Sequence, residues 1–95
     1  MPAYWIGMLD VTDPAKFKEY ADLAPAAIKK YGGKMLSRAG QLTELEGKVP
    51  LPRVAIIEFE NVEKARACYH SPEYQEAKRK REGACKANFF IVEGL

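Results

Sequence analysis

Read with a period of two, the run from Ala3 to Val11 is apolar on both of its faces. Tyr4, Ile6 and Met8 fall on one side, and Trp5, Leu9 and Val11 on the other. Arg53 to Glu60 has the same character, with Val54, Ala55, Ile56 and Ile57 at its centre, and Ala87 to Glu93 is built around Phe89, Phe90, Ile91 and Val92. A strand apolar on both sides needs cover on both sides. The first two runs are therefore predicted as interior strands of a sheet that has no wet face.

Between these runs the period changes to that of a helix. Thr12-Asp13-Pro14 is a strong start, with Asp13 placed to cap the free amides and Pro14 at the first position, where no donor is needed. Phe17, Tyr20, Ala21, Ala24, Ala27, Ile28 and Tyr31 then make one apolar stripe. Pro25 interrupts it and costs about 3 kcal/mol in a regular helix interior, so a kink or break is expected near Ala24. Gly32-Gly33 ends the helix, one of the two in the left-handed conformation. Lys34 to Ala39 is a weaker strand, and the two prolines of Lys48-Val49-Pro50-Leu51-Pro52 make a loop. Asn61 caps a second helix that buries Val62, Ala65, Cys68 and Tyr69. It stops at His70-Ser71-Pro72, where Ser71 caps a further segment carrying Tyr74, Ala77 and Arg81 on one face.

Strand, helix, strand, strand, helix, strand is the split β-α-β arrangement, an α+β fold with a four-stranded antiparallel sheet and helices on one face. The chain has 95 residues, enough for one domain spanning 1–95, and a chain this short buries only about 60–65% of its unfolded surface. The sheet face without helices then needs a partner, and a second copy of the same face is the simplest one, which predicts a homodimer through the open sheet face. Fifteen basic and thirteen acidic residues leave a net charge of +2, which gives no electrostatic reason to expect nucleic acid or a membrane surface. No signal peptide or membrane-length apolar run is visible, and Cys68 and Cys85 make no disulfide framework, so a cytoplasmic location is expected.

Several segments appear in order along nearly the whole chain: Tyr4-Trp5, Asp10-Val11-Thr12-Asp13-Pro14, Tyr31-Gly32-Gly33, Arg38-Ala39-Gly40, Leu45-Glu46-Gly47, Ile57-Glu58-Phe59, Ser71-Pro72-Glu73-Tyr74 and Val92-Glu93-Gly94. In these the chain resembles the bacterial family called domain of unknown function 1330, of the dimeric α/β-barrel superfamily of ferredoxin-like folds. Tyr-Gly-Gly and Ser-Pro-Glu-Tyr are the more specific of these segments. The resemblance implies a ferredoxin-like fold and dimerisation; the family's own activity is not established. Superfamily relatives include cofactor-free monooxygenases, haem-degrading enzymes, lactone isomerases and stress-related proteins without known catalysis. Ala39 departs from the pattern, which usually has a second glycine there.

Four side chains are candidates for a ligand pocket between helices and sheet. Arg38, beside Gly40, can clamp a carboxylate or enolate through paired hydrogen bonds, or else pair with Glu44, Glu46 or Glu58. His70, the only histidine, suits proton transfer or haem ligation, against the plainer reading of a helix-end histidine favoured by the dipole. Tyr74 and Arg81 lie seven residues apart on one helix face with Ala77 between them. They either line a pocket together, or Tyr74 is a core aromatic whose hydroxyl reaches the surface and Arg81 is solvated. Lys78-Arg79-Lys80-Arg81 has Glu73, Glu76 and Glu82 as helix neighbours and no interleaved aromatics, and reads as a solvated face. Cys68 and His70, two apart, match no usual metal spacing, and no nucleophile elbow, phosphate loop or dinucleotide fingerprint occurs, so neither metal nor cofactor is expected. The leading reading is a dimer that binds a small anionic or phenolic molecule; beside it stand a cofactor-independent oxygenase or isomerase and an interaction dimer without ligand.

Overall fold

A computed structural model describes all 95 residues. The order is β1 (Ala3–Val11), α1 (Pro14–Lys30), β2 (Lys34–Arg38), β3 (Arg53–Phe59), α2 (Val62–His70), α3 (Pro72–Lys80) and β4 (Cys85–Glu93). The strands form one antiparallel sheet in the order β2-β3-β1-β4. This is the α+β ferredoxin-like fold expected from the sequence, with its second helix in two pieces. β1 and β3 occupy the interior positions that their two apolar faces demand.

The period-two alternation decides which face meets the helices. Ala3, Trp5 and Leu9 of β1, and Ile57 and Phe59 of β3, are buried against them with Tyr20, Ala24, Ala27, Ile28, Ala65, Cys68, Tyr74 and Ala77. Trp5 stands at the centre, stacked on Phe59 at 5.8 Å between ring centroids and edge-on to Tyr74 at 4.9 Å. On the other face Phe90 and Val92 keep 45% and 47% of their surface exposed, although both are apolar.

The caps form as the sequence predicts. Asp13 accepts from the Lys16 amide at 3.2 Å, Asn61 from Lys64 at 2.9 Å and Ser71 from Tyr74 at 3.1 Å. Gly32 takes the left-handed turn at φ 84°. The expected break near Ala24 does not occur: α1 runs unbroken through Pro25. Only the bond from residue 25 to the Ala21 carbonyl is lost. Ala24, Ala27 and Ile28, buried on the sheet on either side of the proline, hold the two halves in line.

β2 contains the main irregularity. Met35 pairs with Ile57 but Ser37 pairs with Ile56, so two steps along β2 match one step along β3. A bulge of this kind re-aims the side chains beyond it. Directly after it Ala39 adopts φ 53° while its amide donates to the Val54 carbonyl at 3.1 Å. The left-handed region costs an L-residue roughly 1–2 kcal/mol, and glycine loses roughly 0.5–1 kcal/mol of that advantage to its unfolded-state freedom. Ala39→Gly is therefore expected to stabilise the protein by about 0.5–1 kcal/mol, read as a higher denaturation midpoint at unchanged slope.

Candidate functional site

A cavity of about 210 Å³ opens between α1 and the sheet. Phe17, Tyr20, Ala21, Ala24, Pro25 and Ile28 form its helical wall; Trp5, Gly7, Leu9, Met35, Ala55, Ile57 and Phe89 form its floor. Small residues make the room. Gly7 faces the helices from β1, and the Phe89 ring lies over it where a Cβ would stand. Arg38, Ala39 and Arg53, all three exposed, complete the lining on its solvent side, so its charged members are two water-accessible arginines and no acid.

The bulge explains how Arg38 gets there. Met35 and Arg38 are three residues apart and in a regular strand would face opposite ways. With the register shifted they oppose Ile57 and Ala55, both on the cavity side, and both line it. None of the chain's four ion pairs includes Arg38, so the alternative pairing with Glu44, Glu46 or Glu58 is not formed. Arg53 is a site residue that the sequence reading missed. It shares parity with Ala55, Ile57 and Phe59, and the alternation alone could have placed it on the helical side.

Tyr74 and Arg81 come together, but neither alternative drawn for them holds in full. Tyr74 is a core residue with no exposed surface, and its hydroxyl does not reach solvent; it meets the Tyr20 hydroxyl at 2.7 Å. Arg81 is not solvated: only 8% of it is exposed, and its guanidinium lies 5.0 Å from the Tyr20 ring centroid and 4.6 Å from that of Phe89. The residue follows the last turn of α3 with helical backbone still, so its side chain falls on the same face as the buried Tyr74 and Ala77. Burial, then the adjacent Tyr74, pushes the Tyr20 phenol far above its ordinary value; burial also raises that of Tyr74. Both phenols are thus neutral donors at neutral pH.

His70 does not join this group. It is exposed at the end of α2, edge-on to Tyr69 at 5.2 Å, beside a second, more open groove with Arg66, Phe90 and Ile91 that shares Trp5 and Phe89 with the cavity. Cys68 is a core thiol that burial pushes up to about 12, with Ala27 carbonyl oxygen 3.8 Å from its sulfur. No three His, Cys, Asp or Glu side chains cluster as a metal site would require, and no helix is long and apolar enough to cross a membrane.

The family model described as Domain of unknown function (DUF1330) matches residues 2–95. The chain belongs to this family. No curated protein matches the DUF1330 chain. Solved structures do, at identities that speak for the fold. A protein of unknown function from Rhodopseudomonas palustris is similar at TM-score 0.79 and 18% identity, over 99% of this chain and 82% of that one. SnoaB, a cofactor-independent oxygenase from Streptomyces nogalater, is similar at TM-score 0.68 and 12% identity, over 99% and 93%. A dimeric protein of unknown function and ferredoxin-like fold from Bacteroides fragilis is similar at TM-score 0.65 and 14% identity, over 98% and 96%.

Proposed function

We propose that this DUF1330 protein binds a small anionic or phenolic organic molecule in the cavity between α1 and the sheet. The observation that carries the reading is an apolar cavity whose only charged lining residues are Arg38 and Arg53, neither paired with a carboxylate. At about 210 Å³ the space lies below the roughly 300–1,000 Å³ usual for drug-sized ligands, and suits a monocyclic compound. Its aromatic walls offer stacking surface, and each unpaired guanidinium offers a fork for an oxyanion.

Trp5 is the single tryptophan and lines the cavity, so its fluorescence responds to a ligand there. Because Trp5 also borders the groove beside His70, His70→Ala serves as the control that should leave the response unchanged. Benzoate is expected to bind saturably and more tightly than neutral benzamide. Losing a hydrogen bond to a charged group costs about 1.5–3 kcal/mol. The Arg38→Gln and Arg53→Gln pair should therefore weaken benzoate by about tenfold or more while leaving benzamide nearly unchanged. Equal affinity for acid and amide in the wild-type chain would count against the reading.

The open face of the sheet supports a homodimer. Tyr4, Ile6, Met8, Val54 and Ile56 share it with the exposed Phe90 and Val92, and an apolar surface of this kind favours self-association. The Bacteroides fragilis neighbour described as dimeric points the same way. Sedimentation of the wild-type chain as a dimer, and of Phe90→Glu as a monomer, is the expected result. Two unbridged cysteines accord with the cytoplasm.

A second reading, a cofactor-independent oxygenase, has one specific support: the fold similarity to SnoaB, coupled to an aromatic-walled cavity that could shelter a reactive carbanion from water. Oxygen uptake by pure protein with a panel of phenols, lost in Arg38→Gln, is the observation that would raise it above simple binding.

A further inference from the structure

Arg81 is the most buried charge in the molecule, and although the Tyr20 and Tyr74 hydroxyls lie beside it, no carboxylate answers it. It belongs to none of the four ion pairs, and its Nε–H is buried without a hydrogen-bond partner. The Tyr20 and Tyr74 hydroxyls beside it share one hydrogen bond, which uses one of their two protons. No other protein group accepts the second proton. Counting donors against acceptors, the cluster has a surplus of N–H and O–H groups around a positive charge and lacks an anion. Buried charges are ordinarily paired, and a buried ion left alone costs several kcal/mol. Stacking on Tyr20 and Phe89 supplies only part of that, on the order of 2 kcal/mol for a desolvated cation–π contact.

The position of the cluster matters as much as its composition. Tyr20 and Phe89, the two rings that carry the guanidinium, both line the cavity. Phe89 stands on β4, whereas Arg38 stands on β2 at the far edge of the sheet. The cavity thus has one cationic side at its Arg38 and Arg53 lining and another behind its Tyr20–Phe89 wall.

Resting on the binding reading above, we propose that Arg81, Tyr20 and Tyr74 form an internal oxyanion subsite that receives the acidic group of the bound molecule, a carboxylate or an enolate or phenolate oxygen. Arg38 and Arg53 then steer the anion inward, and the buried trio fixes its orientation. Selectivity for acid over neutral analogue resides mainly in Arg81.

The test is a calorimetric titration of the full chain with benzoate and with benzamide, for the wild type, Arg81→Met and the Arg38→Gln/Arg53→Gln pair. Methionine keeps an unbranched apolar stem in the space, and replacing a buried charge by an apolar group is often neutral or stabilising. Arg81→Met is expected to melt no lower than the wild type, yet to bind benzoate about tenfold or more weaker with benzamide unchanged, a larger loss than the Arg38 and Arg53 pair causes. Unchanged benzoate affinity in folded Arg81→Met overturns the subsite and leaves the cavity reading standing. Equal losses for benzoate and benzamide mean a packing defect and overturn it too. No saturable binding of either compound to the wild type overturns both. Should Arg81→Met fail to fold, Arg81→Lys keeps the charge but loses the fork; weaker benzoate binding there supports the subsite, and unaltered binding overturns it.

Discussion

Trp5→Ala is expected to lower the unfolding free energy by about 3–5 kcal/mol, the range for deleting a large aromatic from a packed core. Trp5 is 2% exposed and touches the rings of Phe59, Tyr69, Tyr74 and Phe89, so its removal takes away the member common to that aromatic cluster. Several rings must then collapse together or leave a void, and rings held by separate strands and helices cannot all move inward. Total stability for a chain of this size is about 5–15 kcal/mol, so much of the variant population should be unfolded under mild denaturant. A urea melt read by far-ultraviolet circular dichroism checks it. A loss below about 1 kcal/mol, the effect of an ordinary surface change, would mean that Trp5 is not the keystone of this core.

The second large effect is expected at Gly7. A Cβ there meets the Phe89 ring, which lies directly over the backbone. Val at this position has to push the ring off β1, and Phe89 is both a wall of the cavity and one of the two rings against the Arg81 guanidinium. Overpacking of this sort costs about 1–3 kcal/mol. The functional loss should be greater than the structural one, because the branched side chain and the displaced ring both move into the space a ligand needs. Gly7→Val is thus expected to fold with a reduced melting temperature and to show no saturable quenching of Trp5 by benzoate. Wild-type affinity in this variant would place the binding site somewhere other than between α1 and the sheet.

Much of the fold was legible because its signals are local or periodic. Asp13, Asn61 and Ser71 announce helix starts through short-range capping, and Trp5 and Ile57 announce interior strands through alternation that neighbours cannot mask. Pro25 misled for a corresponding reason. Its penalty is local, while the packing of Ala24, Ala27 and Ile28 that overrides it is tertiary and invisible in a propensity argument. The bulge in β2 was equally hidden, since a one-residue register shift depends on which strand is the partner. That shift is what brings Arg38 and Met35 to the same side.

The candidate site was legible only in part. Arg38 was named for its residue type and the glycine nearby, and it does line the cavity. Arg81 sat in a basic run that reads as a solvated face, and Arg79 bears that out with its Glu76 pair at 3.0 Å. Arg81 itself escapes the run because it shares the helix face of Tyr74 and Ala77, both buried, and its backbone is still helical. The periodicity that placed those three together was the available signal, and the neighbouring charges masked it. Tyr20 was read as one more member of an apolar stripe. Its hydroxyl, the single polar atom among the buried side chains of α1, was the available signal.

The most direct test of a ligand-binding cavity is a crystal structure of the protein grown with benzoate. Ring density between α1 and the sheet, with its carboxylate at an arginine and the ring against Tyr20 or Phe89, is the result expected. A cavity closed by Phe17 and Met35, with benzoate absent or lying on the outer surface, would contradict the account.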